Sequence, residues 1–383
     1  MRTLRFLVAA AALGIGAAVF GAEVGAAHPG DTIVMSGLDN PRGLTFAQAR
    51  ERGGDVRHGG RWVHGGRWAL YVAEAGTGGT LRCTQIRGTV CVGRTGAVSR
   101  YRHGEQRRIV EGLPSYAPFA SGSSAGAVGP HDVSFAGGRG YVVIGLAANP
   151  DARAALGEKF GWIAHFRPNG AVSYRTDVSD FEKQANPDQG PVESNPYGLL
   201  EGAGDRVAVD AAGNTLLRVA PWGRISTLAV IPSRAQGRNT DAVPTAVAIG
   251  PDGAYYVGEL TGGPFAPGEA RIWRLMPGQA PQVYCSGFSF VVDLDFDRRG
   301  DLYVLEHASG PLGPFTGTPG QLLRVQRNCS KTPVRTGLAA PTSVAIGPDE
   351  DAYVSINGTS AAIGAVIRVG LAGQRDENEG GNE

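Results

Sequence analysis

One pattern recurs six times along this chain and restricts its fold more than any other feature. Each copy opens with a short apolar segment, usually led by proline, passes through a turn, and continues into an alternating strand. The openings are Pro41-Arg42-Gly43-Leu44, Pro130-His131-Asp132-Val133, Pro196-Tyr197-Gly198-Leu199, Pro244-Thr245-Ala246-Val247, Val291-Val292-Asp293-Leu294 and Pro341-Thr342-Ser343-Val344. The second segments are L-Y-V-A-E (70–74), Y-V-V-I-G (141–145), R-V-A-V-D (206–210), Y-Y-V-G-E (255–259), L-Y-V-L-E (302–306) and A-Y-V-S-I (352–356). Between them sit turns such as G-P-D-G (250–253), where proline presets φ and Asp and Gly tolerate a tight reversal. A third segment follows, usually with Arg in fourth place: A-V-S-R-Y (97–101), T-L-L-R-V (215–219), R-I-W-R-L (271–275), Q-L-L-R-V (321–325) and A-V-I-R-V (365–369). Most copies then add a fourth, as in R-R-I-V-E-G-L (107–113) and Q-V-Y-C-S-G-F (282–288).

Four short strands per copy, at a spacing of roughly 50 residues, predict an all-β fold: a six-bladed β-propeller in one domain. The last copy has no fourth strand after Val369, whereas T-I-V-M-S-G-L (32–38) resembles the other fourth strands. The N-terminal strand is therefore expected to complete the last blade and close the ring, which removes an open seam of unpaired backbone. The expected organisation is a signal segment over 1–27, the propeller over 28–371 and a polar, disordered tail over 372–383.

Export follows from the N-terminus. Arg2 and Arg5 precede an apolar run from Phe6 to Phe20, and Val24-Gly25-Ala26-Ala27 offers a small-residue cleavage site. The run is short for a membrane span, and no later segment is apolar enough to make one, so the mature chain is expected outside the cytoplasm. Four cysteines suit that compartment, and no C-x-x-C points to zinc or redox chemistry. Of the three possible pairings, Cys83–Cys91 with Cys285–Cys329 is favoured, because the first pair closes a short hairpin-like loop. With 36 basic against 35 acidic residues and no block of like charge, nucleic acid is not an expected partner. A monomer is expected.

The repeats resemble NHL-type propeller repeats, and the chain over 32–370 resembles the ScyD/ScyE family of secreted bacterial proteins. The resemblance is carried by G-L-D-N-P-R-G-L-T-F (37–46), Y-V-A-E-A-G-T-G-G (71–79), G-P-H-D-V-S-F (129–135), E-S-N-P-Y-G-L-L (193–200), A-V-P-T-A-V-A-I-G-P-D-G-A-Y-Y-V-G-E-L-T-G (242–262) and N-G-T-S-A-A-I-G (357–364). It implies fold and export rather than a reaction. The family name, taken from genes associated with a sunscreen pigment, adds a role on aromatic natural products as a third reading. One departure is the insertion between Ala47 and Trp68, where H-G-G-R-W occurs twice.

Candidate chemistry is expected where loops entering first strands and leaving second strands crowd one mouth of the channel. Glu74, Asp210, Glu259 and Glu306 end second strands; His131, Asp132, Asn195 and Asp293 lie near first-strand starts; Asn214 and Asn357 follow in loops. Two readings are carried forward. In the first, these residues contact a small molecule or protein, the acids otherwise packing blades. In the second, Glu74, Asp210, Glu259 and Glu306 hold Ca²⁺, a hard cation that takes oxygen ligands, and His131 acts as general base on a lactone or ester. The charged stretch Asp177–Ser194 is read as a lid over that mouth, and the duplicated insertion as a separate surface on the opposite face. Gly122-Ser123-Ser124-Ala125-Gly126 fits G-x-S-x-G but lacks the strand–turn–helix context a nucleophile needs.

Overall fold

The computed structural model describes residues 30–48, 56–58, 61–63, 68–119, 126–167, 169–201, 204–234, 241–310 and 318–371. Residues 1–27, expected to be a signal segment, residues 372–383, expected to be a tail, residues 122–125 and the side chains of residues 51–67 lie outside the described residues.

Six antiparallel sheets stand around one axis, each running from an inner strand to an outer one. The inner strands are Pro41–Gln48, Pro130–Ala136, Pro196–Glu201, Pro244–Ile249, Val291–Phe296 and Ser343–Ile346. They pack side by side in chain order, and that of blade 6 returns to that of blade 1. The second strands match the sequence pattern closely: Arg206–Asp210, Tyr255–Glu259, Leu302–Glu306 and Ala352–Ile356 have the expected bounds. Their alternation has a packing cause. Val72, Val142, Val257, Val304 and Val354 are each 0% exposed, buried between adjacent blades. Full burial of each such side chain contributes about 1.5–3 kcal/mol.

Thr32–Leu38 is the outer strand of blade 6, antiparallel to Gly364–Val369, with Ile33 opposite Ile367 and Met35 opposite Val366. The first and last strands of the propeller thus share one sheet. Met35 and Leu38 join Leu44, Leu70, Val72 and Val366 in a cluster that spans blades 6 and 1.

Blade 1 exceeds the expectation. Its third and outer strands, Thr89–Arg102 and Glu105–Pro118, run 14 residues each. An added strand, Arg82–Gln85, pairs with the first of these, and Cys83 lies directly opposite Cys91, to which it is bonded. Cys285, on the outer strand of blade 4, is bonded to Cys329, in the turn before the outer strand of blade 5. One disulfide therefore staples a hairpin and the other joins neighbouring blades. The insertion after Gln48 contains a hairpin, Val56–His58 with Arg61–Val63. The charged stretch of blade 2 holds a helix, Val178–Ala185, capped by Asp177, whose side chain accepts from the Asp180 amide.

The third-strand arginines serve their own blades. Arg218, Arg274, Arg324 and Arg368 pair with Asp205, Asp252, Asp301 and Asp351, which lie in the turn between inner and second strands. No described residue range forms a helix long and apolar enough to cross a membrane.

Met35→Ala should lower unfolding stability by about 2–5 kcal/mol, because it removes a buried thioether from the closing strand. Denaturant unfolding checks this, and an unchanged midpoint would mean that this strand does not close the ring.

Candidate functional site

The inner strands create the site because each leaves one edge facing the axis. Backbone N–H groups on that edge have no further strand to pair with and must find acceptors elsewhere. Aspartates of the preceding blade supply them. Asp132 Oδ2 accepts from the Leu199 amide at 2.7 Å while Oδ1 accepts from Val133 at 2.7 Å. Asp293 accepts from the amides of Leu294 and Val344, each at 2.9 Å, and from the Ser343 hydroxyl. Asp295 accepts from Phe296 and Ile346, each at 2.8 Å. Gly43 makes room for the first of these bridges: a Cβ there would lie 2.7 Å from the Asp132 Cα.

These three carboxylates line a chamber of about 480 Å³ on the axis. All six inner strands contribute to its wall, with Leu44, Val133, Leu199, Val247, Leu294 and Val344 as apolar parts. Its rim carries Trp68, Arg298 and Glu350, in or beside the turns between inner and second strands. The volume falls within the range of small-molecule sites. The aspartates face the chamber yet lie deep in protein, and burial raises their pKa values. Asp293 is pushed up to about 7, with Asp295 adding repulsion, and Asp295 to about 6, with Asp297 adding. Burial and then Asp293 hold Asp132 well above the usual carboxylate range.

At the other end of the channel a second polar tier is packed shut. Arg42 is 0% exposed and donates from Nη2 to the Ala127 carbonyl at 3.0 Å. Its Nε and Nη1 have no hydrogen-bond partner among the described residues, and burial lowers its pKa. Its charge reaches His131, Tyr197 and His307, which belong to three other blades. His131 Nδ1 lies 3.1 Å from the Pro196 carbonyl, which can only accept, so Nδ1 carries the proton and Nε2 is a bare acceptor. Burial, with Arg42 beside it, pushes His131 down to about 3. It is thus neutral and weakly basic near pH 7, a poor match for the general-base role. Burial likewise takes His307 down to about 4.

The four second-strand acids do not gather into one mouth. Glu74 accepts from Arg108 at 2.6 Å, Ser99 Oγ at 2.6 Å and the Asp39 amide at 2.8 Å. Asp210 accepts from the Asn195 amide and Ser194 Oγ. Glu259 meets Arg271 at 2.7 Å, Arg234 at 3.1 Å and Trp273 Nε1 at 2.8 Å. Glu306 accepts from the Ser289 amide and Gln321, each at 2.7 Å. Among the described residues no group of three or more His, Cys, Asp or Glu side chains is placed to hold a metal ion. The expectation of a shared acidic mouth is corrected accordingly: these side chains tie strand ends to the loops above them.

The remaining residues divide in the same way. Asn195 Oδ1 accepts from the Leu146 amide at 3.3 Å. Asn214 and Asn357 occupy left-handed backbone at φ 50° and 53°, where asparagine is tolerated, and both hydrogen-bond across their loops. The segment read as a lid is anchored to blade 3, through Ser194 to Asp210 and Asn214 to Asp188. Of the predicted residues, Asp132 and Asp293 reach the chamber and His131 the closed tier. Asp295, Arg42, Tyr197 and Trp68 were not singled out. Asp295 was open to detection, since V-V-D-L-D-F places it two residues from Asp293 on the same strand face. The chamber also opens on the face that carries the insertion, opposite to the mouth expected from the loops.

No family model matches the chain, and no curated protein matches it. Solved structures do. A glucose dehydrogenase is 14% identical over 89% of this chain and 99% of its own, with a TM-score of 0.51. Virginiamycin B lyase from Staphylococcus aureus is 14% identical over 88% of this chain and 87% of its own, with a TM-score of 0.45. A luciferin-regenerating enzyme is 10% identical over 88% and 94%, with a TM-score of 0.48. At these identities the likeness shows the propeller fold alone.

Two outcomes are expected. Thermal unfolding curves in excess EDTA and in millimolar Ca²⁺ should superimpose, since protein donors already engage the four acids; a clear upward shift with Ca²⁺ would contradict this. For Asp295 the raised pKa means that the native state holds its proton more tightly than the unfolded chain. Its stabilising contribution is present below about pH 4 and lost as pH rises through about 6. Wild type should therefore lose stability relative to Asp295→Asn over that window, read from paired denaturant curves, and a flat difference would refute the assignment.

Proposed function

We propose that this chain is an exported, ScyD/ScyE-type propeller that binds a small molecule in its axial chamber. The carrying observation is that chamber: about 480 Å³, walled by apolar residues of all six blades, with three carboxylates along its depth. Apolar wall residues beside convergent polar groups of shifted pKa are a combination found at ligand sites, and here the carboxylates make the lining predominantly polar. Export is supported by the basic and apolar N-terminal segment and by two disulfides, which persist outside the cytoplasm. The family reading rests on the segments at 37–46, 129–135 and 242–262.

Binding is favoured over hydrolysis by the state of the candidate catalytic groups. His131 is buried, neutral and hydrogen-bonded to a main-chain carbonyl, and it lies beyond the chamber lining. The acids assigned to Ca²⁺ are already satisfied by arginines, amides and hydroxyls.

The test is to fill the chamber. Val247 is half-buried on its wall. A neutral probe, N-phenyl-1-naphthylamine, should show saturable fluorescence enhancement with the full chain. Val247→Phe should weaken that binding at least tenfold, whereas Trp222→Ala, at a residue 77% exposed, should leave it unchanged. Equal binding by Val247→Phe and wild type would refute the chamber as the site.

A further inference from the structure

The polar part of the chamber is one-sided. Asp132, Asp293 and Asp295 have no ion-pair partner among the described residues. Each carboxylate oxygen of Asp132 and Asp295 accepts a single backbone N–H, which leaves a lone pair on each for another donor. Among the described residues the one cationic side chain in the lining, Arg298, sits at the rim and is paired with Glu350 at 3.1 Å. Three carboxyl groups line one chamber without a counterion among the described residues, and repulsion between them adds to the burial that raises their pKa values.

A second observation comes from Tyr197. It is 4% exposed, its hydroxyl has no hydrogen-bond partner among the described residues, and it lies within the field of both Asp132 and Asp293. A buried polar group without a partner is costly, and the charges of the same two acids reach this one from the chamber side. Behind it Arg42, His131 and His307 are buried as well, so the end of the channel away from the rim is packed with side chains. Around the acids the walls are Leu44, Val133, Leu199, Val247 and Leu294, and toward the rim they become aromatic with Phe46, Phe296 and Trp68.

Taking the chamber as the ligand site, we infer that its ligand carries a primary or secondary ammonium on an apolar or aromatic body. The ammonium enters first and donates to the free lone pairs of Asp132 and Asp295. Its positive charge relieves the repulsion among the three acids, and the body fills the apolar section up to Trp68. A carboxylate in the same place would add a fourth negative group.

Three probes of one shape separate these terms: 2-phenylethylammonium, 2-phenylethanol and 3-phenylpropionate, titrated into the full chain at pH 8 by calorimetry. The ammonium should bind at least tenfold more tightly than the alcohol, and the propionate should give no measurable heat. Asp295→Asn, with its fold checked by circular dichroism, should narrow the ammonium–alcohol gap, by costing the ammonium more affinity than the alcohol. If that variant fails to fold, the wild-type ranking of the three probes still decides. Equal binding of alcohol and ammonium would overturn the ammonium while the chamber remains a ligand site. Binding of none of the three, together with no effect of Val247→Phe on the neutral probe, would overturn both.

Discussion

The structure depends on how the inner strands dispose of backbone that faces the axis. In each blade the innermost strand has a partner on one side only, and its free edge lies in a narrow channel where an unpaired N–H is expensive. The chain meets this with short side chains that reach to the next blade. Asp132 ties blade 2 to blade 3, and Asp293 and Asp295 tie blade 5 to blade 6. Thr245 donates to the Val291 carbonyl at 2.7 Å and joins blade 4 to blade 5. At the closing seam Thr342 donates to the Pro41 carbonyl at 2.7 Å, and the Leu44 amide donates to Ser343 Oγ at 2.9 Å. The strand Thr32–Leu38 completes the same seam from outside.

Because the reach between blades must be short, the inter-blade bridges also set what the channel contains. Aspartate is long enough to accept from a neighbouring strand but leaves the centre open, and the result is a chamber with carboxylates in its wall. Arginine at position 42 does the reverse. It is fully buried in the closed tier and brings a charge close to His131, Tyr197 and His307. An open acidic half and a closed cationic half therefore follow from side-chain length as much as from charge. Both ends of the channel are built by residues at the second to fifth places of inner strands, so folding and recognition draw on the same positions.

The fold was legible because it is local and repeated. The second strands of four copies begin and end at the residues the alternation predicts, and the N-terminal strand was recognisable by its likeness to other fourth strands. The site was only partly legible. Asp132 and Leu199 are 67 residues apart, and Asp295 and Ile346 are 51 apart, so their pairing exists only once blades stand side by side. Glu74, Asp210, Glu259 and Glu306 looked like a convergent set because they share one place in the repeat. Equivalent places in a ring need not face one another, and each of these acids has its own arginine, amide or hydroxyl instead. The long strands of blade 1 went unseen because Gly93 and Gly96 interrupt their alternation, where the pairing register shifts.

The most direct test of the central claim, an open and electronegative chamber reached from the face of the inner turns, needs no ligand. Val247→Cys places a thiol in the chamber wall, and Trp222→Cys places a reference thiol on exposed surface. Each variant is labelled with 2-aminoethyl and with 2-sulfonatoethyl methanethiosulfonate, and the rates are compared. The cationic reagent should be favoured at position 247 at least tenfold beyond its preference at position 222. No reaction at 247, or the same preference at both positions, would contradict the account.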